Sequence, residues 1–307
     1  MSVVDRFADR EPLNQALAYA ALLQERGWAC LFVGASFLIL RARQDGMFGR
    51  IARPQSIDLG ILATIRERTG ITRLLIEPAL AGELVAADGT RHAWQFDAIA
   101  PESTAPFEAL GWRTSSRGVA HGKTLVIDLA PPMPDVIASF HTAARRNARK
   151  AEAASSVTYG VRRFDEASER DHAEVHALYR SFITERPHLP DEWSFRMGLT
   201  RHFRRRGFYV TAHDARGLIG VVYLLLHDRV AHYHAAFARP DAKATRVPTG
   251  LVLAAMRLAK DHGCDLWDFV GIRDERAPQR EAKWSGFTDF KLRFGGVPLH
   301  LPPAYEG

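Results

Sequence analysis

The sequence is poor in cysteine and contains no long apolar run. Its two cysteines, Cys30 and Cys264, lie far apart, which argues against a disulfide scaffold and against a thiolate zinc site. No stretch approaches the roughly 20 apolar residues that a membrane span requires, and the first residues lack the apolar core of a signal peptide. We therefore expect a cytoplasmic protein with no stable membrane insertion.

The sequence also lacks the motifs of several large protein classes. It contains no Gly-x-Ser-x-Gly elbow, no Walker loop and no His-Glu-x-x-His pair, which argues against the usual hydrolases, NTPases and zinc proteases. Zinc-finger spacing, an RNP aromatic signature and a homeodomain-like helix are absent too, so a sequence-specific nucleic-acid reader is not indicated. Sustained heptads, which would predict a coiled-coil arm, do not occur.

The chain does have length and positive charge. Its 307 residues favour two domains, and its 47% hydrophobic and 25% charged residues are typical of a globular protein. The net charge of +6 at pH 7 and the pI near 9.5 favour an acidic partner, such as nucleic acid or a phosphorylated metabolite.

Helix and strand signals alternate through the first half of the chain and stop at Pro131-Pro132-Met133-Pro134. We place a domain boundary there, which predicts domains over 1–134 and 135–307, with a C-terminal tail that could pack back on the first. The second half starts with helices and continues with a meander of three strands. Its predicted segments are helices over 135–154, 167–184, 191–205 and 251–262, and strands over 157–164, 208–213, 220–227, 229–237, 266–269 and 287–294.

This order of elements resembles the GNAT acyltransferase fold, and the first half can be interpreted as a degenerate version of the same plan. The predicted fold class is therefore α/β (α+β), with two tandem GNAT-like acyltransferase domains. Each domain would contain a mixed, mostly antiparallel sheet flanked by helices. The expectation rests on element order, because no repeat of residues is detectable.

Two basic clusters carry much of the positive charge, one on the helix after the proline-rich segment and one at the end of a later helix. Cations at a helix C-terminus are favoured by about 0.3–1 kcal/mol, so capping explains part of the second cluster. Each cluster is either a solvated helix face or a contact for phosphates, which would be salt-sensitive and independent of sequence. The clusters are Arg145, Arg146, Arg149 and Lys150, and Arg204, Arg205 and Arg206.

Lysine is scarce in this chain, yet one lysine lies within an aromatic run near the end. Lys291 is flanked by Phe287, Phe290 and Phe294 in a pattern that we interpret as a strand between glycine-marked turns. An ammonium beside apolar surface pairs with another group, reaches water or shifts its pKa. Lys291 is therefore either a strand lysine whose stem packs on phenylalanines or a functional group.

The place of the GNAT pyrophosphate loop has an atypical sequence. Such a loop has the form Gln/Arg-x-x-Gly-x-Gly/Ala and cradles the anion with backbone N–H groups at a helix start. The corresponding segment, 239–250, lacks the glycine pair, and Pro248 removes an N–H donor. We therefore expect no standard coenzyme A site in the second domain.

Two histidines, His232 and His234, flank Tyr233 on a predicted strand, where alternation would place both on one face. They are either partly exposed strand residues or members of a pocket. Asp265 and Asp268 are too isolated in sequence to indicate a carboxylate pair.

Several segments together resemble the FemABX peptidyltransferases, which add amino acids from aminoacyl-tRNA to the peptide of a peptidoglycan precursor. The similarity extends over most of the chain. Its most specific part is Gly286-Phe287 followed by Phe290-Lys291-x-x-Phe294-Gly295 and a terminal Tyr305-Glu306. The other segments are 74–78, 124–129, 145–151, 251–263 and Asp268-Phe269-Val270-Gly271, after which Ile272 replaces the last family glycine.

The resemblance implies an aminoacyltransferase that uses aminoacyl-tRNA as co-substrate and needs no metal or other cofactor. Lys291 would stabilise charge near the reacting ester, and Phe290 would help to shape the site. The acceptor would be a UDP-linked or lipid-linked muropeptide, the basic clusters would contact tRNA, and the chain would be a monomer. The residues expected to bind the precursor are Arg186, Arg196, Tyr233, His234 and Arg26.

The chain departs from the family at the positions that bind the precursor's phosphates. Family members typically place a lysine on the first helix, where only Arg26 is present here. A second arginine is expected at 185–200, where Arg186 and Arg196 both qualify. Two alternative functions also stay open: a GNAT-type N-acyltransferase that uses an acyl-CoA donor on an amino sugar or other amine, and an RNA-binding module without catalysis.

Overall fold

The computed structural model describes residues 1–99, 106–118, 120–186, 189–243, 245–277 and 284–307. The chain forms two compact units. Unit 1 comprises Met1–Thr124, Gly271–Ser285 and Pro298–Gly307, and unit 2 comprises Leu125–Val270 and Gly286–Val297.

Helices and strands follow one another through both units. The helices are α1 (Val3–Ala8), α2 (Leu17–Glu25), α3 (Leu59–Thr69), α4 (Pro106–Ala109), α5 (Met133–Ser139), α6 (Thr142–Ala153), α7 (Glu169–Thr184), α8 (Trp193–His202), α9 (Val247–Asp261) and α10 (Ser285–Leu292). The strands are β1 (Ala29–Val33), β2 (Ser36–Arg43), β3 (Gly46–Ala52), β4 (Ser56–Asp58), β5 (Ile71–Glu77), β6 (Ala81–Val85), β7 (Arg91–Gln95), β8 (Arg113–Ser115), β9 (Lys123–Asp128), β10 (Thr158–Arg163), β11 (Gly207–Asp214), β12 (Gly217–His227), β13 (Val230–Ala238), β14 (Leu266–Asp268), β15 (Val297–His300) and β16 (Ala304–Glu306).

Unit 1 contains a six-stranded sheet in the order β1-β2-β3-β5-β16-β8 and a three-stranded sheet in the order β4-β6-β7. The β3–β5 pair is parallel, and its neighbours in the larger sheet are antiparallel. The C-terminal strand β16 lies between β5 and β8, where Tyr305 is opposite Ile76 on one side and Thr114 on the other. The end of the chain is thus a structural part of this unit.

Unit 2 is built around a seven-stranded sheet in the order β10-β11-β12-β13-β14-β9-β15. Strands β10 to β13 form an antiparallel meander, and β13 then pairs with β14 in parallel. The buried ring of Tyr179 on α7 packs together with the buried rings of Tyr209, Tyr223 and Phe237 on the sheet. The helix α9 contributes a second buried apolar face against β12.

The division of the chain lies elsewhere than the sequence predicts. The chain passes from unit 1 to unit 2 at Thr124–Leu125, within β9, and not in the proline-rich segment 131–134. The physical reason is that β9 pairs with β14 of unit 2 through Val126 to Asp128. The prolines instead mark the start of α5, where a missing N–H costs no helix hydrogen bond.

The segment around Lys291 is a helix, so its prediction as a strand is wrong. Phe287 and Lys291 lie one turn apart on α10, and Phe294 follows in the turn after the helix, so their spacings of four and three residues match the period of a helix. The density of aromatic residues favoured the strand interpretation, but the spacing decides the outcome, because it puts Phe287 and Lys291 on one helix face.

Candidate active site

Lys291 lies on α10, with its side chain buried in unit 2. It is 7% exposed, and its Nζ donates hydrogen bonds to the carbonyl oxygens of Phe269 (2.7 Å) and Val270 (3.5 Å). The ring centroids of Phe287 and Tyr233 lie 4.9 and 5.9 Å from Nζ. Phe287 is itself exposed, so one of the rings that cover the ammonium reaches the molecular surface.

The ammonium lies where the parallel pairing of two strands ends. The register of β13 with β14 ends at His232 and Asp268. Tyr233 and Phe269 are the next residues along the chain, and both contact Lys291. The lysine therefore occupies the point at which β13 and β14 cease to be hydrogen-bonded partners.

Burial changes the protonation of Lys291. Desolvation lowers its pKa to about 7, and the carboxylate of Asp268 acts in the opposite direction. Charged and neutral forms are therefore both populated at neutral pH. A titratable group with such a pKa, held in a fixed position by two carbonyl groups, is a candidate catalytic group.

A buried pair of polar residues lies beside this lysine. Nδ1 of His232 is 3.1 Å from Oδ2 of Asp268, and each residue is 5% exposed. The sequence does not predict this pair, because it depends on the register of two parallel strands whose partners are 36 residues apart. The signal in the sequence that could have indicated the pair is Asp268, the one charged residue in the otherwise apolar strand β14.

Phe290 helps to anchor the helix that carries Lys291. It is half-buried and packs edge to face against Phe294, with ring centroids 5.1 Å apart. Phe294 is buried against Phe269 (5.4 Å) and Phe140 (5.2 Å). This chain of rings fixes α10 against the same segment whose carbonyl groups hold the ammonium.

Among the residues expected to bind the precursor, Arg196 and His234 lie together. Nη1 of Arg196 is 3.2 Å from Nδ1 of His234, and Nη2 donates to Glu192 at 2.7 Å. The register of β12 with β13 shifts at His234, which forms a β-bulge and interrupts the alternation expected on this strand. Tyr233 contacts Lys291 instead, so it belongs to the lysine site.

The two alternative arginines lie over two aromatic rings that pack against each other. Arg186 follows α7 and stacks on Phe182, which packs against Phe237 at 5.3 Å. The guanidinium of Arg196 lies 5.6 Å from the same Phe237 ring. The geometry therefore does not decide between them. Arg26 lies in unit 1 and caps the C-terminus of α2.

The basic flank of α6 is largely exposed. Its apolar stripe of Ala144, Ala148 and Ala151 is buried, and α6 packs against α9. Arg145 differs from the other cations, because it is half-buried and donates to the carbonyl oxygen of Ala138 at 2.8 Å. The fully exposed members of the cluster are Arg146, Arg149 and Lys150.

The second basic cluster lies in the turn after α8. The sequence predicted a helix that extends to residue 205, but α8 ends at His202. Arg204, Arg205 and Arg206 are all exposed. Arg205 approaches Asp165 at 3.8 Å, a distance at which a solvated ion pair contributes little. These side chains stay accessible to a polyanion.

The start of α9 does not fit a pyrophosphate group. The N–H groups of Thr249 and Gly250 donate to the carbonyl oxygen of Arg246 at 3.0 and 3.1 Å, and Pro248 has no N–H. Arg246 has a φ of 64°, in the left-handed region. These three positions therefore leave no N–H donor for the phosphates of coenzyme A.

A cavity of about 410 Å³ lies between α6, β10 and α9, and none of the predicted site residues lines it.

Within the described ranges, no cluster of three or more His, Cys, Asp or Glu side chains could hold a metal ion. Across the same ranges, no helix combines the length and apolar character needed to cross a membrane.

The chain is similar to known proteins in part of its sequence and in its whole fold. Residues 138–283 match a family model described as an acetyltransferase (GNAT) domain. The structure is similar to that of FemX, with a TM-score of 0.76 and 12% identity over 100% of this chain and 96% of that chain. No curated protein sequence matches the chain.

Two further similar structures come from Agrobacterium fabrum and Bacillus licheniformis. One is the C-terminal domain of a putative lysylphosphatidylglycerol synthetase from Agrobacterium fabrum, with a TM-score of 0.63 and 12% identity over 99% of this chain and 90% of that chain. The other is L-PGS from Bacillus licheniformis, with a TM-score of 0.55 and 9% identity over 91% of this chain and 83% of that chain.

These similarities define the architecture. The predicted α/β class with a GNAT-type fold is confirmed, and the fold of the chain is FemABX-like. At identities of 9–12%, the structural likeness concerns the fold alone.

Proposed function

We propose that this protein is a tRNA-dependent aminoacyltransferase that adds an amino acid to the amino group of a peptidoglycan precursor. The observation that carries the proposal is the buried ammonium of Lys291, held at the point where β13 and β14 separate. The FemABX-like GNAT fold supports acyl transfer in general. The donor and the acceptor are those implied by the resemblance of the sequence to the FemABX peptidyltransferases.

In the proposed reaction, the amine nitrogen of the precursor attacks the carbonyl carbon of the aminoacyl ester. A C–N bond forms, and the carbonyl oxygen becomes an oxyanion. The C–O bond to the tRNA ribose then breaks, and the proton lost by the amine passes to the departing ribose oxygen. The Lys291 ammonium stabilises the oxyanion, an electrostatic contribution that is often the largest in such catalysis.

The choice of tRNA as donor rests on two features of unit 2. At the start of α9, Pro248 has no N–H and the N–H groups of Thr249 and Gly250 donate to the carbonyl oxygen of Arg246, so these three positions offer no donor to a pyrophosphate. The exposed cations of α6 and of the turn after α8 offer contacts for a phosphate backbone instead. A cytoplasmic location and a monomeric state stay predictions.

The acceptor is expected to bind through arginine. Arg196 with His234, Arg186 and Arg26 are the groups that could meet the diphosphate of a nucleotide-linked or lipid-linked precursor. Arginine is suited to this task, because its planar guanidinium binds phosphate with two parallel hydrogen bonds. Tyr233, next to Lys291, would face the reacting end of the acceptor.

The test is a transfer assay with purified protein. Transfer RNA charged with a radiolabelled amino acid is incubated with a UDP-linked or a lipid-linked muropeptide, and label in the muropeptide is measured. The proposal expects incorporation that depends on both substrates and is absent with the free amino acid. If the protein bound tRNA but incorporated no label into either acceptor from any charged tRNA of a full set, the aminoacyltransferase proposal would be excluded. The function would then be that of an RNA-binding module without catalysis.

The alternative donor is tested in the same preparation. The match of residues 138–283 to a GNAT acetyltransferase model favours an acyl-CoA donor acting on an amino sugar or other amine. A thermal-shift titration with acetyl-CoA should show no stabilisation if tRNA is the donor. A saturable rise in melting temperature, together with acetylation of an amine, would establish the alternative.

A further inference from the structure

One residue next to Lys291 has an unusual backbone. Val270 has a φ of 50°, in the left-handed region, although its side chain is branched at Cβ. Such a conformation is strained for a branched residue and persists only where the surroundings hold it. It is held here by Asp268, whose Oδ1 accepts a hydrogen bond from the Val270 N–H at 2.8 Å.

This turn has a direct consequence for the lysine. The carbonyl oxygens of Phe269 and Val270 both approach Nζ of Lys291, at 2.7 and 3.5 Å. Two consecutive carbonyl groups point to one ammonium where the chain leaves β14 through the turn that Asp268 supports. The geometry that holds the ammonium thus begins at the Asp268 side chain.

The second oxygen of the same carboxylate is also engaged. Oδ2 of Asp268 lies 3.1 Å from Nδ1 of His232 on the neighbouring strand, and both residues are 5% exposed. With one oxygen on a backbone N–H and the other on an imidazole, the carboxylate has a fixed orientation. It is a charge held in place beside the ammonium.

The charge of Asp268 also acts on Lys291 through space. Burial disfavours the ammonium, and the carboxylate is the group that opposes this effect. The other titratable groups on the neighbouring strand β13 are His232, which is bonded to Asp268, Tyr233, which lies beside Lys291, and His234, which lies against Arg196. Burial raises the pKa of Tyr233, which keeps its hydroxyl neutral, so it contributes no opposing negative charge.

We propose that Asp268 is a positioning residue for Lys291: through the turn at Val270 it aims the carbonyl groups of Phe269 and Val270 at the ammonium, and its carboxylate favours the charged form of the lysine. The need for that charge rests on the proposed function. The effect on Lys291 itself does not, because it can be measured without any substrate. A carboxylate that served only to join β13 to β14 through His232 would leave the protonation of Lys291 unchanged.

The experiment uses the small number of lysines. The chain has six, at positions 123, 150, 243, 260, 283 and 291, so selective ¹³Cε labelling gives a simple NMR spectrum. The signal of Lys291 is identified by its loss in Lys291→Met. Its titration is then compared in the wild type, in Asp268→Asn and in His232→Gln, which keeps the carboxylate and removes the imidazole.

We expect the Lys291 signal to titrate at a pKa lower in Asp268→Asn than in the wild type, by about 1–3 pH units, the usual effect of losing a nearby opposite charge. In His232→Gln it should titrate close to the wild-type value. An unchanged Lys291 titration in folded Asp268→Asn would overturn the proposal, as would an equal displacement in both variants.

Two further measurements keep the test decisive. If Asp268→Asn does not fold, it is repeated in a Val270→Gly background, because glycine adopts positive φ without support from the carboxylate. In transfer assays, the loss of activity at high pH should move to lower pH in Asp268→Asn. A displaced titration without a displaced pH profile would contradict the assigned role of Lys291 in transfer but not its control by Asp268.

Discussion

Two regions of unit 2 use positive charge in opposite ways. At Lys291 a single ammonium is buried, held by two carbonyl groups and enclosed by aromatic rings. On α6 several cations are exposed along a helix whose other side packs on α9. The first arrangement fixes one charge at a defined point, and the second spreads charge over a surface.

The difference teaches what each region can do. A buried charge acts in a low dielectric and is little screened by salt, so it can stabilise a transition state at one atom. Exposed charges are screened, and each adds a small, similar share to the binding of a polyanion. Substitutions should therefore change the rate of transfer in the first region and salt-dependent affinity in the second.

The largest effect is expected from Lys291→Met. Loss of the ammonium should lower the rate of the chemical step by about 10²–10³-fold, as for removal of one oxyanion-stabilising group, with tRNA affinity close to wild type. The rate is measured as single-turnover transfer from charged tRNA. The matched control is Lys260→Met, because Lys260 also donates to backbone carbonyl groups, those of Leu129 and Pro131, but lies outside the proposed site.

The next effect concerns the exposed cations of α6. Changing Arg146, Arg149 and Lys150 together to glutamine should weaken tRNA binding, and the slope of log affinity against log salt should fall by roughly 0.7–0.9 per lost phosphate contact. Binding is measured by fluorescence titration at several salt concentrations. Arg170→Gln on α7, which removes an exposed arginine paired with Glu174, is the control. An unchanged slope in the triple variant would show that α6 does not contact phosphates.

A third effect is on stability. The pKa of Lys291 is about 7 in the folded protein and near 10.5 when the chain is unfolded. Between these values the unfolded chain binds one more proton, so folding stability attributable to Lys291 rises with pH by about 1.4 kcal/mol per unit and is lowest below pH 7. Urea unfolding of wild type and Lys291→Met at pH 7.5 and 9 should show this difference. If the free energy of unfolding changed equally with pH in the two proteins, folding would not lower the pKa of Lys291.

The smallest effect is expected from Phe290→Leu. The change removes an edge-to-face contact with Phe294, which contributes about 0.5–1.5 kcal/mol beyond area burial. Urea unfolding should show a loss of that order. Transfer should fall less than in Lys291→Met, because α10 keeps the anchor of Phe294 on Phe269 and Phe140. A larger rate loss in Phe290→Leu than in Lys291→Met would reverse the assigned roles.

Local sequence signals account for much of unit 2. The meander β11 to β13 and the helices α7 and α9 lie within a few residues of their predicted ranges, because apolar periodicity and turn residues encode them directly. The scarcity of lysine in the chain was enough to identify Lys291 as a candidate functional residue. The predicted helix over 135–154 is divided into α5 and α6 at Phe140, which is buried against Phe294, a contact distant in sequence.

The parts that local patterns do not encode depend on tertiary structure. The pairing of His232 with Asp268 requires the register of two parallel strands, and the positive φ of Val270 depends on that carboxylate. Aromatic composition suggested a strand at Lys291, although the spacing of its neighbours was helical. The bulge at His234 likewise arises from the pairing of β12 with β13.

The central claim is that Lys291 acts in the chemical step and that the cations of α6 act in tRNA binding. It is tested most directly by single-turnover transfer from saturating charged tRNA. The rate is measured at low and moderate salt for the wild type, Lys291→Met and the α6 triple variant. The account predicts that Lys291→Met loses the chemical step at both salt concentrations, whereas the triple variant reaches the wild-type rate once tRNA saturates. Wild-type transfer by Lys291→Met, or a triple variant that stays slow at saturating tRNA, would contradict it.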